Sequence, residues 1–136
     1  MADVEIARLI DRLMRRIHSK LNAASSTFDH HQLGPAGGML LLSVAEHAPL
    51  QAQQLAELLA RDKAQIARAV QSLERKGLVT REDNPDDGRA KLLRLTQEGQ
   101  RTVDVLEQAV AEALQDILSP LSSANHRQLK DLLRKL

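Results

Sequence analysis

The chain is 136 residues long, carries a formal charge of +1 and is 43% apolar, with one aromatic residue (Phe28) and no cysteine. That length fits one domain of ordinary size, whose core must be Leu, Ile, Val and Ala packed between helices; an all-β sandwich is disfavoured. The missing cysteine excludes disulfides, thiolate zinc sites, cysteine nucleophiles and thiol-based oxidant sensing.

In chain order, Ile6, Ile10, Leu13, Ile17, Leu21 and Ala24 recur at helical steps, with Leu9 and Met14 widening the stripe. This predicts a long amphipathic first helix that ends before Asp29-His30-His31-Gln32. Its early charges (Asp3, Glu5, Arg8, Asp11, Arg12, Arg15, Arg16) leave no room for a signal peptide's apolar region or a spanning helix. A soluble, cytoplasmic protein with no membrane partner is therefore expected.

A second helix is predicted from near Pro35, which suits a first helical turn, through Leu40, Leu41 and Val44 to about His47. After Ala48-Pro49-Leu50, Leu55, Leu58 and Leu59 mark a short third helix, and Ala60-Arg61 is a tight connection. Asp62 is expected to cap the fourth helix with its carboxylate. Ile66, Val70 and Leu73 form that helix's buried stripe, and Gly77 stops it.

Leu78-Val79-Thr80-Arg81 reads as a strand, Asp83 to Gly88 as a polar turn, and Lys91 to Leu95 as the returning strand. Thr96 is placed to cap a long helix with Val103, Leu106, Val110, Ala113 and Ile117 on one stripe, ending before Pro120. A last helix opens at Ser122 or Ser123 and carries Leu129, Leu132, Leu133 and Leu136.

Charge is unevenly spread: Arg61 to Arg81 holds six basic and two acidic residues, whereas residues 21–60 carry −3. A basic island of this kind can be a footprint for phosphates or simply a solvated face. Two short helices joined by a tight turn, followed by a hairpin, have the layout of a winged helix-turn-helix, whose second helix enters a major groove. With Ile66, Val70 and Leu73 buried, Lys63, Ala64, Gln65, Arg68, Gln71 and Ser72 face outward. Arg and Lys suit guanine or phosphate, Gln suits adenine and Ala can touch a thymine methyl. Arg89 and Lys91 sit beside a hairpin tip suited to a minor-groove or backbone contact.

Five pieces in register resemble the MarR family of bacterial regulators: Gln54-Leu55-Ala56 to Leu59, Asp62 to Arg68, Leu73 to Val79, Asp87-Gly88-Arg89, and Leu95 to Gly99. The resemblance covers nearly the whole chain. It implies a homodimer with interlocking first and last helices, a recognition helix at about 63–76 and a wing at about 83–90. It also implies that Arg68 contacts DNA, that Asp87 and Arg89 form a paired carboxylate and arginine in the wing, and that a small aromatic or anionic effector releases the DNA. Ala64 and Ala67 stand where hydroxyl residues are common, Gln51 stands near the usual Ser or Thr start of the third helix, and Gly88 replaces a frequent wing arginine.

The expected fold is therefore mainly α, a winged helix-turn-helix with a two-stranded β-hairpin wing plus N- and C-terminal helices that form a dimerisation region. Residues 1–136 make one domain, with about 35–99 as the DNA-binding part and about 1–30 and 100–136 as the dimerisation part. The expected DNA-binding residues are Lys63, Ala64, Gln65, Arg68, Gln71, Arg75, Asp87, Arg89 and Lys91. His30-His31, with His18, His47 and Glu46, could in principle ligate a metal, but adjacent histidines in a polar connection read better as solvated. No metal or cofactor is expected. No nucleophile elbow, phosphate loop or HExxH motif is present, so an enzyme is not expected. An architectural DNA binder without an effector, and a protein-interaction module that kept the fold, stand as alternatives.

Overall fold

A computed structural model describes residues 3–136. Its element order is α1 (Val4–Phe28), α2 (Gly34–His47), α3 (Ala52–Leu58), α4 (Lys63–Arg75), β1 (Val79–Asn84), β2 (Asp87–Leu95), α5 (Gln97–Ile117) and α6 (Ser123–Arg134). Every predicted element is present in the predicted order, and the fold is the expected winged helix-turn-helix with flanking helices. The chain divides into two units, one of Ser25–Glu107 and the other of residues 3–24 with 108–136.

The first unit owes its core to the aliphatic stripes. Leu41, Val44, Leu55, Val70, Leu78 and Leu93 are fully buried, joined by Leu40, Ile66, Leu73, Val103 and Leu106. Both helices of the helix-turn-helix end alike. Arg61 N–H donates to Ala56 C=O (3.0 Å) and Ala60 N–H to Glu57 C=O (3.2 Å) after α3; Leu78 N–H donates to Leu73 C=O (3.0 Å) and Gly77 N–H to Glu74 C=O (2.9 Å) after α4. This pairing satisfies the last carbonyls and requires a left-handed residue. Gly77 supplies it at φ 75°, and Ala60 does so at φ 49°.

Asp62 stands at the N-cap of α4, but its carboxylate accepts no hydrogen bond from the first turn. The backbone there is extended (ψ 135°), and the position is exposed, so water can serve the free N–H groups of that turn. By contrast, Thr96 caps α5 as expected: its hydroxyl donates to Gly77 C=O (2.6 Å) and accepts from Gly99 N–H (2.9 Å). Thr96 N–H also donates to Leu78 C=O (3.0 Å).

These bonds bring the start of α5 against the carbonyl of Leu78, leaving no room for a side chain at Gly99, where an added Cβ would overlap that oxygen. Gly99→Ala should therefore destabilise the protein by roughly 1–3 kcal/mol, the usual cost of forcing backbone apart in a packed region. Thermal melting checks this, and an unchanged midpoint would mean that α5 can slide without cost.

β1 and β2 pair antiparallel, Val79 opposite Leu95 and Asp83 opposite Lys91, with an irregularity between Asp83 and Asn84. The strands run further toward the tip than the pattern predicts, because Asn84 and Asp87 are both in the ladder and only Pro85-Asp86 remain between them. Leu50 adds a one-residue bridge, its C=O accepting from Leu93 N–H at 2.7 Å.

In the second unit, Ala113 and Ile117 are buried, and Lys20 forms an ion pair with Asp116. Neither α1 nor α6 has a buried residue. Ile6, Ile10, Leu132 and Leu133 are each more than half exposed. Among the described residues no helix is long and apolar enough to cross a membrane.

Candidate nucleic-acid interface

α4 buries Ile66, Val70 and Leu73, keeps Ala67, Ala69, Ser72 and Glu74 half-buried, and turns the others outward. Ala64, Arg68, Gln71 and Arg75 follow at steps of four, three and four along the exposed side, with Lys63 and Gln65 beside them; all six are exposed. Ser72, read as outward-facing, is only partly exposed. Among the described residues Lys63, Arg68 and Arg75 form no ion pair, nor does Arg61 in the connection before α4. Their charge is free to meet a ligand.

The hairpin is different, since most of its cations are already matched. Lys91 pairs with Asp83 directly across the ladder, Arg94 with Glu82 on the diagonal, and Arg81 with Glu74 at the end of α4 (2.7 Å). Lys91 hydrogen-bonds Asp83 and attracts its charge, which together hold that carboxyl below the ordinary aspartate value. Because the folded value is the lower one, the pair's contribution is complete above the unfolded value of about 3.9 and is lost as pH falls through the folded value. A carboxyl-carbon NMR titration should place Asp83 below that ordinary value, and Lys91→Met should bring it back; no change on substitution would show that the pair does not persist in solution.

Arg89 is exposed and its guanidinium has no carboxylate partner. The paired carboxylate and arginine implied for Asp87 and Arg89 are not formed. Asp87 Oδ1 instead accepts from the Arg89 backbone N–H at 3.0 Å. A short acidic side chain reaches the amide two residues on more readily than the end of a long one, which makes a local turn. Asp87 thus holds the main chain that carries Arg89 and leaves the guanidinium free. Gly88 has nothing within 4 Å of an added Cβ.

Of the two adjacent histidines, His31 has a carboxylate partner. His31 Nε2 lies 3.2 Å from Glu98 Oε1, and Arg101 donates to the other oxygen of Glu98 at 2.7 Å. Hydrogen bonds from Arg101 and then His31 hold the Glu98 carboxyl below its ordinary value. Asp29, in the same connection, accepts from the N–H groups of Leu33 (2.8 Å) and Gly34 (3.0 Å). No group of three or more potential ligands occurs among the described residues.

A small hollow of about 70 Å³ lies beside α4, lined by Met39, Leu40, Leu59, Arg61, Gln65 and Ile66 among others. Arg61 and the Glu74–Arg81 pair were not singled out in the sequence. An arginine in the tight turn before a helix with outward-facing cations is a signal that could have found the first. The second shows only as opposite charges seven residues apart across a helix-stopping glycine, which is weak.

Residues 31–90 match the sequence signature of the MarR family. A curated relative from Thauera aromatica, named for transcriptional regulation of the hcr operon, is 35% identical over 99 residues, 73% of this chain and 59% of that one. The match spans 59% of the length of that relative and 46% of the length of a second, an HTH-type transcriptional regulator from Bacillus subtilis that is 31% identical over 75 residues, 55% of this chain. A probable transcriptional regulator from Pseudomonas aeruginosa is similar in structure, with a TM-score of 0.66 at 30% identity over 93% of this chain and 95% of that one. A mutant MarR from E. coli, solved in complex with operator DNA, gives a TM-score of 0.76 at 27% identity over 97% and 93% of the two chains.

Proposed function

The chain belongs to the MarR family, and from that premise we propose that it is a transcriptional regulator that binds operator DNA as a homodimer and represses a nearby promoter. Each subunit lays α4 in a major groove, which is wide enough for a helix, and sets the β1–β2 wing against the neighbouring minor groove. The observation that carries this reading is a set of exposed cations without carboxylate partners (Arg61, Lys63, Arg68, Arg75 and Arg89), grouped on α4, the turn before it and the wing tip. Protein carboxylates neutralise the other wing cations, and half-buried Lys76 donates to Gln32 C=O (3.2 Å), so these five are the exposed ones left there for phosphates and base edges. Gln65 and Gln71 suit adenine and Ala64 a thymine methyl. Asp87 aims Arg89 by fixing its main chain, and Lys91, tied to Asp83, serves as a hairpin staple near the DNA backbone.

Two features support the remaining parts of the reading. The apolar stripes of α1 and α6 stay exposed in a single subunit and are suited to bury one another across a twofold axis. The hollow beside α4 has an apolar floor with Arg61 at hand; at about 70 Å³ it must widen to admit a small anionic aromatic effector that would compete with DNA.

Affinity measurements on variants test the DNA face. Arg68→Ala and Arg89→Ala should each weaken binding at least tenfold, the scale of a lost charge-assisted contact, and leave the melting temperature nearly unchanged because neither side chain packs in the core. Arg89→Ala should also shrink the protected footprint at its outer edges, whereas Arg68→Ala should lose protection in the major groove. Equal affinity for Arg68→Ala and the parent would mean that another face of α4 is used.

A further inference from the structure

Glu74 and Arg81 form an ion pair across the joint between α4 and the wing. Glu74 stands in the last turn of α4, Arg81 is the third residue of β1, and Arg81 Nε donates to Glu74 Oε1 at 2.7 Å. Between them the chain turns through Gly77, whose C=O accepts from the Thr96 hydroxyl (2.6 Å), into Leu78 and Val79, which are buried in the core; the base of the wing is thus anchored, and Glu74–Arg81 is the ion pair that ties α4 to the strand beyond that base. The other wing pairs, Glu82–Arg94 and Asp83–Lys91, lie wholly within the hairpin and stiffen it without joining it to α4. Glu74–Arg81 is also the one ion pair among the described residues in which both side chains are only about one third exposed, 31% and 34%, so salt screens it less than the rest.

A guanidinium locked onto a carboxylate is not available to a phosphate. The geometry points to Glu74 and Arg81 as positioning residues, which hold the wing at the angle to α4 that lets Arg89 reach a minor groove while Arg68 reads the major one. This inference rests on the DNA-binding reading above. A preset angle removes the cost of ordering the wing during binding. It also explains why the basic residue that closes the basic island is neutralised from within.

The test compares Glu74→Gln, Arg81→Gln and the exchanged pair Glu74→Arg/Arg81→Glu in the full chain, titrated against a duplex selected by the parent protein, with hydroxyl-radical footprints and thermal melting. Each single variant should lose roughly tenfold in affinity together with protection at the outer edges. The central protection and the melting temperature should stay, and the exchanged pair should restore the edges. Tighter binding by Glu74→Gln would overturn the inference, because Arg81 would then be a phosphate contact that Glu74 restrains. Failure of the exchanged pair to restore the edges would overturn it too, since Arg81 would be touching DNA itself. A lowered melting temperature with the edges kept would mark an ordinary structural pair. Arg89→Ala separates the two readings: if the edges survive its loss, the wing does not touch DNA and both fall, whereas if Arg89→Ala loses the edges and the pair variants keep them, only the pair's role fails.

Discussion

Raising the salt from 50 to 200 mM is expected to cut the protein's affinity for its duplex by roughly 10³ to 10⁵, the loss that follows when ~6–10 phosphates are neutralised and their counterions released. On α4, the turn before it and the wing tip, each subunit offers five exposed cations that no carboxylate matches (Arg61, Lys63, Arg68, Arg75 and Arg89), and a dimer doubles that set. Not every one need meet a phosphate, since Arg68 is placed for base edges, so the lower part of the phosphate range is within reach. The steepness comes from local charge, because the net charge of +1 would predict almost no salt response. Titration at four or five salt concentrations reads the slope directly. A flat response would leave the basic island without a role in binding.

The second large effect concerns assembly. Ile10→Glu with Leu133→Glu should convert the protein from a dimer to a monomer at micromolar concentration, as read by light scattering. Ile10 and Leu133 are 55% and 59% exposed in the single subunit, so a charge at either costs that subunit little. Fully covering a side chain of this size contributes about 1.5–3 kcal/mol, and twofold symmetry counts each position twice. Since a little over half of each side chain is left to cover, the two substitutions together can remove ~3–7 kcal/mol, roughly 10² to 10⁵ in dimer affinity. Operator affinity should collapse with the dimer, because one subunit contacts one half-site. A dimer that survives both changes would place the interface elsewhere.

Much of the fold could be read from periodicity and punctuation. The stripes at Ile66, Val70 and Leu73 and at Val103 and Leu106 are buried where the pattern puts them, Gly77 ends α4 in a left-handed turn, and Thr96 and Ser122 cap their helices. These signals are local and each has one reading. What depended on partners distant in sequence was harder to see. Leu50 looks like part of a loop and bridges to Leu93, and Gly99 looks like a poor helix residue until Leu78 C=O is placed against it.

The polar residues divide the same way. Asp62 has the right identity and position for a capping carboxylate, yet its side chain leaves the first turn unbonded, since exposure to water removes the pressure to bond. The resemblance implies a pair between the Asp87 carboxylate and the Arg89 guanidinium, whereas the bond that forms is to the Arg89 backbone N–H. Which cations were free could not be read at all. Lys91 and Arg89 look equivalent in sequence, and only the strand register, which sets Asp83 opposite Lys91, separates the tied one from the free one.

Selection of bound fragments from random duplex DNA tests the central claim most directly. The protein should enrich a pseudo-palindrome whose two half-sites lie about one helical turn, ~10 base pairs, apart, with Arg68→Ala giving little or no enrichment under the same conditions. A parent pool no more enriched than that of Arg68→Ala, at low as well as moderate salt, would contradict sequence-specific recognition by α4.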